Sequence, residues 1–262
     1  MAELTQPLLR VADLSLRFGG VAALDGVSFD VHEGQIVGLI GPNGAGKTSL
    51  FNCISRLYQP SSGSIRFGNQ ELLQLKTHDV IRLGIARTFQ NVALFAHMSV
   101  LDNVLVGDHT RIPSDAIASA LRLPRARHAE HAGLERALAA LDVVGLRTQA
   151  ASVCASLPFA IQKRVELARA LVSRPKLLML DEPAGGLTHT ELSDLSELIR
   201  RVHAEYGLTV LLVEHHMNLV MSISDQVVVL SFGRKLADGT PESVRADPAV
   251  IEAYLGSASA AA

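Results

Sequence analysis

The clearest chemistry in the chain sits in eight consecutive residues. Residues 41–48 read GPNGAGKT and satisfy the spacing G-x-x-x-x-G-K-[ST]. Gly41, Gly44 and Gly46 let a backbone wrap closely around phosphate oxygens with its N–H groups turned toward the anion. Lys47 offers a point charge to the terminal phosphates and Thr48 a hydroxyl to Mg²⁺. A second candidate centre is LLMLDEP, residues 177–183, where an apolar run delivers two adjacent acids. Asp181 suits the shell of a divalent cation, and Glu182 suits a water that must be oriented or deprotonated. Adjacent acids at a strand end are often only solvated turn residues; the loop at 41–48 gives this pair its chemical meaning.

A phosphate loop of this kind works between a buried strand and a helix. Residues 35–40 (QIVGLI) form a short apolar run of the buried-strand type. Leu50, Phe51, Ile54 and Leu57 then repeat at helical spacing, which predicts a helix over 49–57. Further buried strands are expected at 177–180, 208–213 and 226–230, with helical patterns between them. Alternating strands and helices imply an α/β fold with a mostly parallel sheet. Residues 8–34 and 63–70 alternate apolar and polar positions between glycines, which predicts a flanking antiparallel β subdomain. Residues 91–160 hold no buried-strand run, and the Ala-, Leu-, Arg- and His-rich stretch at 121–146 predicts an inserted helical subdomain. The small-residue tail at 256–262 is expected to fray.

Composition narrows the function. The 262 residues carry 24 Lys and Arg against 26 Asp and Glu, a formal charge of −2, so there is no basic field of the sort that recruits nucleic acid. Mean hydropathy is +0.26, yet no apolar run approaches the ~20 residues of a membrane span. The amino terminus lacks the basic start and apolar stretch of a secretory signal, which places the expected chain in the cytosol. Cys53 and Cys154 have neither disulfide nor zinc-ligand spacing and read as buried thiols.

GPNGAGKT, the glutamine of RTFQ at Gln90, the segment SLPFAIQKRVELARAL, LLMLDEP and the histidine of LLVEHHM follow one another as in ATP-binding cassette (ABC) ATPases, which the chain resembles over nearly its whole length. RFGG, RTFQNVALFAHMSVLDNV, VEHHMNLVMSISDQVVVL and LADGTPESVRADPAVIEAYLG look closest to the cassettes of bacterial branched-chain amino acid importers. Related urea and amide importers share much of this wording. The resemblance implies a P-loop NTPase core over 1–90 and 163–262 and a helical subdomain over 91–162. It implies ATP contacts from Gly41, Asn43, Gly44, Ala45, Gly46, Lys47, Thr48 and Ser49, with Phe18 stacking on adenine. Thr48, Gln90 and Asp181 would hold Mg²⁺; Glu182, Gln90 and His215 would act on the attacking water and the γ-phosphate. His216 is the neighbouring rival of His215, and alignment on the strand end favours His215.

Two stretches depart from the family. The signature that usually reads LSGGQ, and contacts the nucleotide of the opposite subunit, is here Leu157, Pro158, Phe159, Ala160 and Ile161. Pro158 removes a hydroxyl and an N–H, and Ala160 adds a Cβ where glycine allows the closest approach. The chain reads as a weak ATPase, as the partner of a different cassette with a better signature, or as a loop that still presents enough N–H groups. With Ala160 as the unusual residue, the expectation is weakened but not abolished hydrolysis. After the acidic pair the chain has Ala184, Gly185, Gly186, Leu187 and Thr188, and Thr188 with Glu191 fits a capping box.

The resemblance further implies a second cassette subunit, homo- or heterodimeric, and integral membrane permease subunits docked near Gln90 and the segment 92–98. A solute-binding protein would act indirectly, and the chain would lie at the cytoplasmic face of the membrane. Val92, Leu94, Phe95 and Met98 compete between that docking role and the subdomain core. Against a soluble cassette ATPase acting on DNA or ribosomes stand the missing insertions and basic footprint, and against a small-molecule kinase, which would need a lid and an acceptor pocket, stand the aligned signature segment and His215.

Overall fold

The computed structural model describes residues 6–109 and 124–259. Two sheets share the work. The first is antiparallel and contains β1 (Leu9–Phe18), β2 (Val21–Val31), β4 (Ser62–Phe67) and the short β5 (Gln70–Glu71) in the order β2-β1-β4-β5. Leu9, Val11, Leu14 and Leu16 of β1 face the same interior as Leu24, Val27, Phe29 and Val31 of β2. A register shift between Val11 and Leu14 accommodates Asp13, whose φ is 47° and whose N–H donates to Ser28 Oγ at 2.8 Å.

The second sheet has the order β10-β9-β3-β8-β7-β6. Its strands β3 (Ile36–Ile40), β6 (Ile85–Arg87), β7 (Leu177–Asp181), β8 (Thr209–Val213) and β9 (Gln226–Ser231) run parallel, and β10 (Arg234–Gly239) closes the edge antiparallel to β9. The apolar runs divide cleanly between the two faces. Ile36, Ile40, Leu178, Leu180, Val210, Leu212, Val227 and Val229 enter one core, while Val37, Leu39, Leu177, Met179, Leu211, Val213, Val228 and Leu230 enter the other. Burial on both faces is why these strands read as continuous hydrophobic runs rather than alternation.

Helix α1 (Lys47–Ile54) lies between the two sheets, with Leu50, Phe51, Cys53 and Ile54 all buried. It begins two residues earlier than the spacing predicts and stops at Ile54, leaving Leu57 half-exposed outside it. After the short α2 (Thr77–Val80), the opposite face is covered by α3 (Val100–Val106), α4 (Pro124–Val143), α5 (Phe159–Leu171), α6 (His189–Tyr206), α7 (Met217–Ile223) and α8 (Pro241–Ala246). Between 91 and 160 the described residues contain helices and one isolated bridge, Ser99 to Val153. Residues 121–123 of the expected helical stretch lie outside the described residues. Helix α5 runs unbroken through the boundary drawn at 162.

Two strands among the described residues escape the sequence reading, β6 and β10. Three residues carry no period, and β10 is an edge strand whose residues are all exposed or half-buried. Of the tail expected to fray, 256–259 continue α9 (Pro248–Ser259) and 260–262 lie outside the described residues; the start of α9 is stabilised by Asp247, which accepts from Ala249 N–H at 2.9 Å.

Candidate nucleotide site

The carboxyl ends of β3, β7 and β8 lie side by side, and each delivers one piece of the site. After β3 the loop 41–46 bends back into α1. Gly46 has φ 101°, and a Cβ there would stand 2.5 Å from the Ala23 carbonyl oxygen, so the turn admits only glycine. Gly41 is equally confined, with φ 154° and Leu230 O only 2.2 Å from where a Cβ would sit. Lys47 is 7% exposed and its Nζ donates to Gly41 O at 2.7 Å and Pro42 O at 3.0 Å. Burial pushes the ammonium below the ordinary lysine range, while Glu182 and Asp181 pull it back up. A poorly solvated cation inside a glycine loop is prepared for an anion. Asn43, Gly44 and Thr48 are exposed, Ala45 is buried and Ser49 half-buried.

At the end of β7, Asp181 is 3% exposed and Glu182 is held at φ 48°, a region L-residues seldom occupy. The Glu182 N–H donates to Val213 O at 2.9 Å, which locks this turn onto β8. Glu182 Oε2 accepts from Gln90 Nε2 at 2.8 Å and lies 4.0 Å from His215 Nδ1. Three residues picked from separate stretches of sequence therefore converge on one carboxylate. His216 stacks against His215, ring centroids 4.3 Å apart, and does not reach Glu182 within ion-pair distance.

Phe18, at the end of β1, is 49% exposed, with its ring held edge-on by Tyr58 at a centroid distance of 5.3 Å. Leu157, Pro158, Phe159, Ala160 and Ile161 open α5, with Pro158 as its N-cap residue making no side-chain cap. The Ile161 amide already donates to Pro158 O at 3.0 Å, so of the first turn the amides of Phe159 and Ala160 are the ones without an intrahelical acceptor. Phe159 is exposed, lies under Lys163 Nζ at 5.4 Å, and its ring approaches Gly186, where a Cβ would meet it at 3.1 Å. Thr188 caps α6 in a capping box, accepting from Glu191 N–H while the Glu191 carboxylate accepts from Thr188 N–H at 2.8 Å.

Several participants escape the sequence reading. Arg87 Nη2 donates to Asp181 Oδ2 at 2.7 Å, and Nη1 donates to Asn52 Oδ1 at 2.8 Å and Ser55 Oγ at 3.0 Å, so one guanidinium ties α1 to the acidic strand end. On α5, Lys163 Nζ donates to Gln90 O, Glu166 accepts from Phe89 N–H and Arg169 donates to Ala93 O, gripping the backbone on both sides of Gln90. Burial pushes the Lys163 ammonium and the Arg169 guanidinium down and the Glu166 carboxyl up. Glu214, fully buried, binds backbone amides of two site loops. The available signal was an ionisable residue at the end of an apolar run, as in IAR and TVLLVE.

Beside Gln90 an apolar groove of about 430 Å³ is bounded by Leu57, Ile81, Phe89, Phe95, Val106 and Arg169. Of the segment 92–98, Ala93 and Phe95 line the groove, whereas Leu94 packs on the core.

A family model described as "ABC transporter" matches residues 24–185, and one described as "Branched-chain amino acid ATP-binding cassette transporter" matches residues 234–260. The chain is 46% identical to the "High-affinity branched-chain amino acid transport ATP-binding protein BraF" of Pseudomonas aeruginosa, over 97% of this chain and 100% of that one. It is 44% identical, with the same coverage, to the protein of that description called LivG in Escherichia coli. Among solved structures, the ADP conformation of MJ1267, an ATP-binding cassette of an ABC transporter, superposes with a TM-score of 0.83 at 30% identity, covering 96% of this chain and 100% of that one. Family model, full-length relatives and fold agree with a nucleotide loop set against two acids: the chain belongs to the ABC transporter family, as an ATP-binding subunit whose ATPase activity is coupled to transport.

Proposed function

We propose that this subunit powers import of branched-chain or other hydrophobic amino acids. Two cassettes close face to face on ATP, and hydrolysis releases them. The substrate class rests on the full-length relatives. The mechanism rests above all on Glu182, whose carboxylate accepts from Gln90 and faces His215.

The loop from Gly41 to Ser49 wraps the phosphates, with Phe18 stacked on adenine. Lys47 exchanges its bonds to Gly41 O and Pro42 O for phosphate oxygens. The oxygen donors at hand, the Asp181 carboxylate, the Thr48 hydroxyl and the Gln90 amide, suit Mg²⁺, a hard cation. Bound there, Mg²⁺ supplies charge neutralisation on the phosphates. Glu182 takes the proton from a water attacking the γ-phosphorus as ADP leaves, Gln90 orients that water and His215 donates to the γ-phosphate. The partner's α5 amino terminus, with its Leu157–Ile161 equivalent, completes each site.

The core of 1–90 and 163–262 holds nucleotide, and the helical unit of 91–162 carries the signature. The groove next to Gln90 suits an apolar helix of a membrane permease, because its exposed walls are Phe89, Phe95 and Val106. Among the described residues no helix is long and apolar enough to cross a membrane, so movement of solute falls to such permease subunits, with this chain peripheral at their cytoplasmic face and a solute-binding protein delivering cargo.

Reconstitution with its permease and solute-binding protein in proteoliposomes is expected to give ATP-dependent uptake of leucine, isoleucine or valine. Uptake of urea or short amides in place of amino acids would overturn the substrate assignment.

A further inference from the structure

The residue that follows β8 is ionisable and fully buried. Glu214 Oε1 accepts from Ala184 N–H at 2.6 Å. Its other oxygen, Oε2, accepts from His215 N–H at 3.0 Å and His216 N–H at 3.3 Å. Oε2 also lies 3.8 Å from His215 Nδ1. Each oxygen thus serves a different loop. Ala184 sits two residues beyond Glu182 and opens the segment that leads to the Thr188 cap, while His215 belongs to the turn after β8.

We propose that Glu214 is the positioning residue that holds Glu182 and His215 in one register, a role that rests on the reading of those two residues as the hydrolytic pair. Hydrogen-bond valence decides the residue type. The partners are three backbone N–H donors on two loops, so both oxygens must accept, and among side chains of this length only a carboxylate offers two acceptors and no donor. Glutamine has the same shape, yet it turns an NH₂ toward one of the donors, losing that bond and setting donor against donor. Aspartate keeps the chemistry but is one methylene shorter, so it serves one loop at a time. The strained φ of Glu182 needs such support: its own N–H is tied to Val213 O, and Glu214 fixes the same turn from its other side.

The test compares E214Q and E214D with wild type in the assembled transporter, using ATP turnover together with binding of a fluorescent ATP analogue. The expected result for E214Q is a fall in kcat of about tenfold or more, with KM and nucleotide affinity within about twofold, because the Glu214 carboxylate bonds to Ala184, His215 and His216 and not to the loop at 41–48. E214D should fall between the two. If E214Q does not fold, E214D alone carries the same kcat-against-KM comparison. A kcat for both variants within about twofold of wild type, or a parallel loss of kcat and nucleotide affinity, would overturn the proposal. E182Q and H215A in the same assay separate the two levels: if they retain turnover, the underlying hydrolytic reading fails, whereas if they lose it and E214Q does not, only the role of Glu214 fails.

Discussion

Glu182 carries a backbone strain that its neighbours must supply, with φ 48° in a region that costs a non-glycine residue about 1 kcal/mol or more. Its side chain is thereby aimed at Gln90 and His215 instead of along the strand. Arg87 performs the matching task for Asp181. A planar guanidinium reaches Asp181, Asn52 and Ser55 at once, between the rings of Phe51 and Phe89 at 5.5 and 5.2 Å. The three donors of a lysine radiate from one nitrogen and cannot reproduce the two-nitrogen fork that serves Asp181 from Nη2 and Asn52 and Ser55 from Nη1. On the proposed role of Asp181 in holding Mg²⁺, R87K should raise the Mg²⁺ concentration for half-maximal ATPase about tenfold, as for removal of an outer partner of a metal ligand; a Mg²⁺ titration with unchanged midpoint would contradict a part for Arg87 in that role. At the signature, Ala160→Gly should raise turnover of the assembled transporter by removing a Cβ at the expected contact with the partner's nucleotide. An unchanged rate would show that Ala160 does not limit hydrolysis. The loop and the acidic pair were legible in the sequence because their spacing is local; Arg87 and Glu214 were not, because their partners lie on strands and helices far away in the chain.

At the scale of elements, the parallel strands β3, β7, β8 and β9 followed from apolar runs buried on both faces, and the antiparallel sheet from its alternation. What periodicity left out were β6, too short to show a period, and β10, an exposed edge. The end of α9 was missed for a different reason, since a run of small residues reads equally as fraying or as good helix formers. Packing of α7 on the central sheet makes a sharp prediction. A Cβ at Gly38 would stand 2.4 Å from Val220 Cγ1 and 2.9 Å from Ser224 Oγ. Gly38→Ala should cost about 1–3 kcal/mol by overpacking, read as a lower Tm. The capping box of α6 yields a second. Glu191 is held below the ordinary carboxylate value of 4.5 by the backbone and hydroxyl of Thr188, so its contribution is fully present above that value and is lost as pH falls through the lower folded one. Thr188→Ala should lower Tm by about 2–4 °C at pH 7. That difference should shrink as pH falls below 4.5 toward the lower folded value; a constant difference across pH would show that the Glu191 carboxylate is not its source.

For the molecule as a whole, the high mean hydropathy of +0.26 is explained by two cores that share one sheet. Each core contains one thiol: Cys53 lies between the sheets and Cys154 beneath the helices. Burial pushes the Cys53 thiol up to about 11 and moves Cys154 in the same direction. Both should resist thiol reagents at pH 8 in the native protein and react on unfolding, giving independent reports on the two cores; rapid labelling of either in the native state would contradict the packing described. The same two-layer build brings three strand ends together and leaves the groove next to Gln90 open, which sets the proposed permease contact beside the proposed nucleotide chemistry. The most direct test is single-turnover phosphate release by E182Q in the complex with its permease. The expected outcome is ATP retained in a closed cassette dimer, with hydrolysis slowed about 10²-fold or more, as for loss of a general base. Phosphate release at the wild-type rate from E182Q would contradict the assignment on which the mechanism turns.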